Sequence, residues 1–108
     1  MKYAKMIATL VVLLGGIFVT QAHGEDNGKA LYQKNCAVCH GNTGKGGSRA
    51  AGLGARPADF TEGRFWRNDP GKRIANAIEN GYGAMPPMDL APGEMKAISG
   101  YMEKTFKK

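Results

Sequence analysis

Apolar positions along this 108-residue chain fall into three kinds of pattern. The first is an almost unbroken run. Met6 to Val19 is apolar, with Leu10, Val11, Val12, Leu13 and Leu14 at its centre. Lys2 and Lys5 precede it, and the small or polar residues Thr20, Gln21, Ala22, His23 and Gly24 follow. A positive start, a short apolar stretch and small residues after it are the layout of a secretory signal peptide. Cleavage after Ala22 or after Gly24 both suit it. The run of about 14 residues is shorter than the ~20 that a spanning helix needs, so no permanent membrane span is expected once the signal is cut. Residues 1–22, possibly to 24, are therefore read as signal, and 23–108 as one domain of a periplasmic protein.

The second pattern has the helical period. Gly28, Leu31 and Tyr32 recur at i, i+3 and i+4, and Asp26 or Asn27 can cap a helix that runs to about Asn35 and straight into Cys36. Asp59 can cap a short helix from Phe60 to about Arg67, anchored by Phe60, Phe65 and Trp66. Asp69-Pro70 gives an N-cap followed by proline at the first helical position. Ile74, Ala77 and Ile78 form the buried stripe of that helix, and Gly81 ends it. Pro92 and Glu94 open a last helix to about Lys104, with Ile98, Tyr101 and Met102 on one face.

The third pattern has no period. Gly41 to Gly54 is rich in Gly, Ser and Asn and reads as a loop. It lacks the Gly-Lys-Ser/Thr ending of a phosphate cradle and a strand before it. Gly81 to Met88, with two internal prolines, reads as a defined extended loop. Alternation of β-branched residues is absent, so strands are not expected. The fold class is all-α, with four to five short helices.

Charge narrows the partners. Without Lys2 and Lys5, 13 basic residues stand against 9 acidic ones. That balance suits docking on an acidic protein face or an anionic membrane surface. Basic runs interleaved with aromatics are missing, so nucleic acid is not an expected partner. A chain this small buries a modest core, and a bulky apolar prosthetic group would enlarge it.

The candidate chemistry lies in Cys36-Ala37-Val38-Cys39-His40. The spacing C-x-x-C-H is the mark of covalent c-type haem attachment. Two cysteines on one helical turn can each form a thioether to a haem vinyl group, and the adjacent histidine can offer a nitrogen to the iron. Two other readings compete. A thiol–disulfide redox motif wants a βαβ context, which is not seen. A zinc site needs four ligands, and the only other histidine is His23. A sixth iron ligand is suggested by Met85. Pro86 biases its predecessor away from helix, and a thioether is a soft donor suited to iron. Met88 is the rival, and core filling is its blander role.

These residues together resemble the class I mono-haem cytochromes c of bacteria. The resemblance covers nearly all of 23–108. It rests on Gly28 and Tyr32 in the first helix, Cys36, Cys39 and His40, the Met85-Pro86 loop, and Ile98 and Tyr101 in the last helix. Ala50-Ala51-Gly52-Leu53 and Pro57-Ala58-Asp59-Phe60 are similar to a common variant. The resemblance implies helices wrapped around one covalent haem c, with first and last helices crossing, His40 proximal and Met85 distal. Relatives often have Gly-Pro where this chain has Gly47-Ser48, and the carbonyl there accepts the N–H of the proximal histidine. The loop is expected to wrap the haem with Leu53 turned inward.

The function implied is a monomeric electron carrier, not an enzyme, since filled axial positions leave no place for substrate. Redox proteins with an acidic docking face would be its partners. Lys29, Lys34 and Lys45 are candidates for a partner-facing ring, or simply a solvated basic surface. Two alternatives are a haem-bearing subunit of a periplasmic dehydrogenase or oxidase, and a haem enzyme or sensor in which Met85 does not bind.

Overall fold

The computed structural model describes residues 24–108. The signal-peptide reading of 1–22 and the position of His23 lie outside the described residues. Among these, the elements are α1 (Gly24–Asn35), α2 (Ala37–His40), α3 (Ser48–Gly52), a 3₁₀ turn (Gly63–Trp66), α4 (Pro70–Asn80) and α5 (Pro92–Phe106). The only strand-like feature among them is an isolated bridge between Tyr82 and Met85. The fold is all-α, as the helical periods require.

The crossing of α1 and α5 organises the rest. Gly28 is what lets them meet. A Cβ placed there would lie 2.2 Å from the Ala97 carbonyl oxygen and 2.9 Å from Tyr101 Cβ. One turn further, Tyr32 is wholly buried, with its ring 5.5 Å from Tyr101 and 5.4 Å from Phe106. Ile98 is wholly buried beside them. The core is then filled by Phe60, Trp66, Ile74, Ile78, Met95 and Met102. These apolar side chains leave water together, which supplies the main drive for folding.

Helix α4 starts and stops where its caps dictate. The Asp69 side chain accepts from the Lys72 N–H, Pro70 occupies the first position, and the Gly81 N–H donates to the Ala77 carbonyl at 2.8 Å. Ahead of it, Asn68 and Asp69 both have left-handed backbone, with φ of 58° and 56°. The Arg73 side chain secures this turn by donating to the carbonyls of Phe65, Arg67 and Asn68, with its guanidinium 5.2 Å from the Phe65 ring centre.

Four elements differ from the sequence reading. Helix α1 already includes Gly24, so neither Asp26 nor Asn27 caps its start. The 41–54 stretch is not all loop: Ser48–Gly52 forms a single helical turn, with Ala50 buried. The helix expected over Phe60–Arg67 is only a 3₁₀ turn at Gly63–Trp66. Asp59 caps no helix; it accepts from the Thr61 N–H at 2.9 Å and the Thr61 hydroxyl at 2.6 Å, so the chain turns instead. Helix α5 runs past Lys104 because Phe106 is buried against Tyr32 and Tyr101.

Candidate functional site

The site begins at the junction of α1 and α2. The Cys36 N–H donates to the Tyr32 carbonyl at 2.8 Å, and the His40 N–H donates to the Cys36 carbonyl at 2.9 Å. The helix is thus nearly continuous through the motif, and Cys36, Cys39 and His40 share one turn. The Tyr32 hydroxyl donates to the Gly41 carbonyl at 2.8 Å, tying the end of this turn to the core of the helix crossing. The following loop folds back over α2, with Gly46 N–H donating to the His40 carbonyl and Gly47 N–H to the Cys39 carbonyl, each at 2.8 Å.

Neither cysteine is in a disulfide; Cys36 is buried and Cys39 is half-buried. Burial pushes the Cys36 thiol up to about 11. A redox-active dithiol needs a lowered value that yields thiolate, so Cys36 has the wrong environment for that chemistry.

The His40 ring stacks on Phe60, with centroids 4.6 Å apart and planes at 22°. Burial holds its pKa below the ordinary imidazole range, while a hydrogen bond to the Ala58 backbone works the other way. The ring is therefore neutral and keeps a lone pair. Its Nδ1 is buried with no hydrogen-bond partner. At Gly47-Ser48, where the accepting carbonyl is expected, the Gly47 carbonyl accepts from the Ala51 N–H at 3.3 Å, and the backbone contact of the His40 ring is with Ala58. A buried polar atom without a partner is costly and rare. Here it sits beside two free thiols on the same turn, which is the donor set a covalently held haem uses. The residues present fit that group.

Met85 is half-buried and packs on the apolar core, as does Met88. His40 borders the same core through Phe60. The Met85 N–H donates to the Tyr82 carbonyl at 2.9 Å, and the Tyr82 N–H donates back to the Met85 carbonyl at 3.0 Å. Met88 instead lines an open cleft with Glu79, Pro87, Asp89 and Leu90. Leu53 is not turned inward. It is 65% exposed, because its N–H closes the end of α3 on the carbonyls of Arg49 and Ala50 and leaves Ala50 as the buried residue of that turn.

The description of cytochrome c oxidase, cbb3-type, subunit III fits residues 24–102 of the chain. This protein belongs to that family. It is accordingly a c-type cytochrome, an electron-transfer protein that binds haem c. A curated relative, the "Cbb3-type cytochrome c oxidase subunit FixP" of Azorhizobium caulinodans, is 29% identical over 99 residues. The match takes in 89% of this chain and 32% of the relative. The cytochrome thus spans about a third of that protein's length.

Two parts of the site were not legible as such in the sequence of this cytochrome. Phe60 was visible as an apolar anchor, yet its stacking on His40 joins residues 20 apart in the chain and has no local signal. The Ala58 backbone contact has none either, since any residue supplies a carbonyl. No helix among the described residues is long and apolar enough to cross a membrane.

Proposed function

We propose that this cytochrome is a periplasmic single-electron carrier whose domain, residues 23–108, holds one haem c. In this reading the Cys36 and Cys39 thiols are converted to thioethers. His40 supplies the proximal nitrogen and Met85 the distal sulfur. Haem, when bound, supplies the one-electron Fe(III)/Fe(II) couple, and a Met/His pair favours a raised potential. The chain's own side chains do the rest. Phe60, Trp66 and Ile78 exclude water, and the bridge at Tyr82 presents Met85. With both axial positions taken, substrate has no open position and the domain by itself is not an enzyme.

The observation that carries this reading is the turn bearing Cys36, Cys39 and His40, with a neutral imidazole whose buried Nδ1 lacks a partner. Oxidised and reduced visible and near-infrared spectra of the exported protein test it. A haem that survives denaturing extraction, with the weak ferric band of methionine ligation, is the expected result. Haem without that band, changing on carbon monoxide, would mean an open iron and favour a sensor or enzyme.

Export by a signal at residues 1–22 belongs to the same reading. So does docking on acidic redox proteins through exposed lysines such as Lys29, Lys34 and Lys45. Electron exchange with such a partner then slows as salt rises. A second reading, favoured by the oxidase-subunit name of the relative, is that the cytochrome is a haem-bearing subunit of an oxidase complex. Copurification at a fixed ratio supports that one, and a monomer in solution supports the carrier.

A further inference from the structure

We propose that Gly81 is the positioning residue for Met85: the absence of a side chain there lets the loop close against the end of α4 and present the thioether to the iron. This rests on the reading of Met85 as the distal ligand. The loop is tied to the last turns of α4 at two places. Gly81 N–H donates to the Ala77 carbonyl at 2.8 Å, and Met88 N–H donates to the Ile78 carbonyl at 2.7 Å. Between these ties, Tyr82 and Met85 exchange both backbone hydrogen bonds. The segment carrying Met85 therefore has few soft torsions left, and Pro86 and Pro87 remove two more.

The closure leaves no room at position 81. A Cβ on Gly81 would lie 2.7 Å from the Met85 carbonyl oxygen and 3.1 Å from both Cδ and N of Pro87. All three atoms are backbone or a locked ring, so none can swing aside. The Met85 carbonyl is held by the Tyr82 N–H, and Pro87 has a fixed φ. Relief has to come from moving Met85 and its bridge away from α4. A thioether is a weak donor to iron, and a site tolerates only about 0.5 Å of displacement from its working geometry. Packing at Gly81 is thus converted into the position of a sulfur four residues on.

Gly83 supplies a control within the same loop. It too has positive φ, 58° against 75° at Gly81, but a Cβ there would meet nothing within 4 Å. Gly83→Ala pays backbone strain alone. Gly81→Ala adds the contact with Met85 and Pro87. Gly81 has ψ of 171°, a combination with positive φ that essentially only glycine adopts, so Gly81→Asn keeps both the contact and the strain and enlarges the side chain.

The test uses the full haem-loaded protein and compares Gly81→Ala, Gly81→Asn, Gly83→Ala and Met85→Ala with the parent. The readouts are the ferric near-infrared methionine band, the midpoint potential, and carbon monoxide binding after reduction. Both Gly81 variants should lose the band, show a lower potential and bind carbon monoxide. Gly83→Ala should keep the parent's behaviour. A Gly81→Ala protein that keeps the band, or a Gly83→Ala protein that loses it equally, overturns the positioning role. If the parent's band survives Met85→Ala, the ligand assignment itself has failed and the proposal goes with it. Should the Gly81 variants not fold, amide exchange in the parent decides. Slow exchange at Tyr82 and Met85 is the expected result, and exchange at free-chain rates overturns the closed loop.

Discussion

Single residues in this cytochrome hold one another through short chains of contact. Trp66 shows this. Its indole N–H donates to the buried Phe60 carbonyl at 2.7 Å, and the Phe60 ring in turn stacks on His40. Trp66→Phe leaves that carbonyl buried without a donor, a loss of roughly 1–3 kcal/mol. Denaturant unfolding should show a lower midpoint with an unchanged slope, and an unaltered midpoint would remove the bond from the list of supports. The motif residues were legible at this scale, because C-x-x-C-H states its chemistry in five adjacent positions. The partners of His40 were not. Its ring touches Phe60 and the Ala58 backbone, which only the path of the 41–60 segment brings into place.

Elements were legible to the extent that their signals are local. Asp69-Pro70 and Gly81 bounded α4 correctly, since an N-cap carboxylate, a proline without N–H and a left-handed glycine act through neighbouring backbone groups. The 3₁₀ turn was misread as a longer helix because Asp59 spends its carboxylate on Thr61. The hydrogen bonds to Thr61 also hold the Asp59 carboxyl below the usual carboxylate range. The crossing of α1 and α5 gives the sharpest prediction for an element. Gly28→Ala drives a methyl into the Ala97 carbonyl, and both contacts are on helical backbone or its Cβ. The helices have to separate, at the upper end of the ~1–3 kcal/mol usual for overpacking. For a domain of this size each kcal/mol lowers Tm by roughly 4–8 °C. A thermal melt of the loaded variant equal to the parent's would show that the crossing is looser than described.

For the whole molecule, buried acids set a limit on alkaline stability. Burial and the negative charges that Cys36 and Tyr101 would carry raise the Tyr32 phenol above its ordinary value, and burial pushes the Cys36 thiol up to about 11. Both folded-state values lie above those of the unfolded chain, near ~10 for Tyr and ~8.5 for Cys. Across that window the unfolded chain binds fewer protons, so stability is full below the unfolded values and falls as pH rises towards the folded ones. With free thiols the decline begins with Cys36. With Cys36 in a thioether, only the later decline from Tyr32 remains. Urea midpoints of the loaded protein should hold up to about pH 9 and drop beyond about pH 10, with Tyr32→Phe reducing the drop. A flat profile in the parent would count against burial of the phenol.

The sequence by itself determined the helical class, the caps of α4, the helical turn that carries Cys36, Cys39 and His40, and the methionine–proline loop. Each is written in residues close together in the chain, where backbone geometry and donor chemistry act at short range. Tertiary structure alone decided that Ala50 and not Leu53 faces inward, that α5 extends to Phe106, that His40 stacks on Phe60, and that Gly81 abuts the Met85 carbonyl. Those depend on which distant segments share a volume. Close packing settles such questions through the whole core at once, and periodicity along the chain carries no record of it.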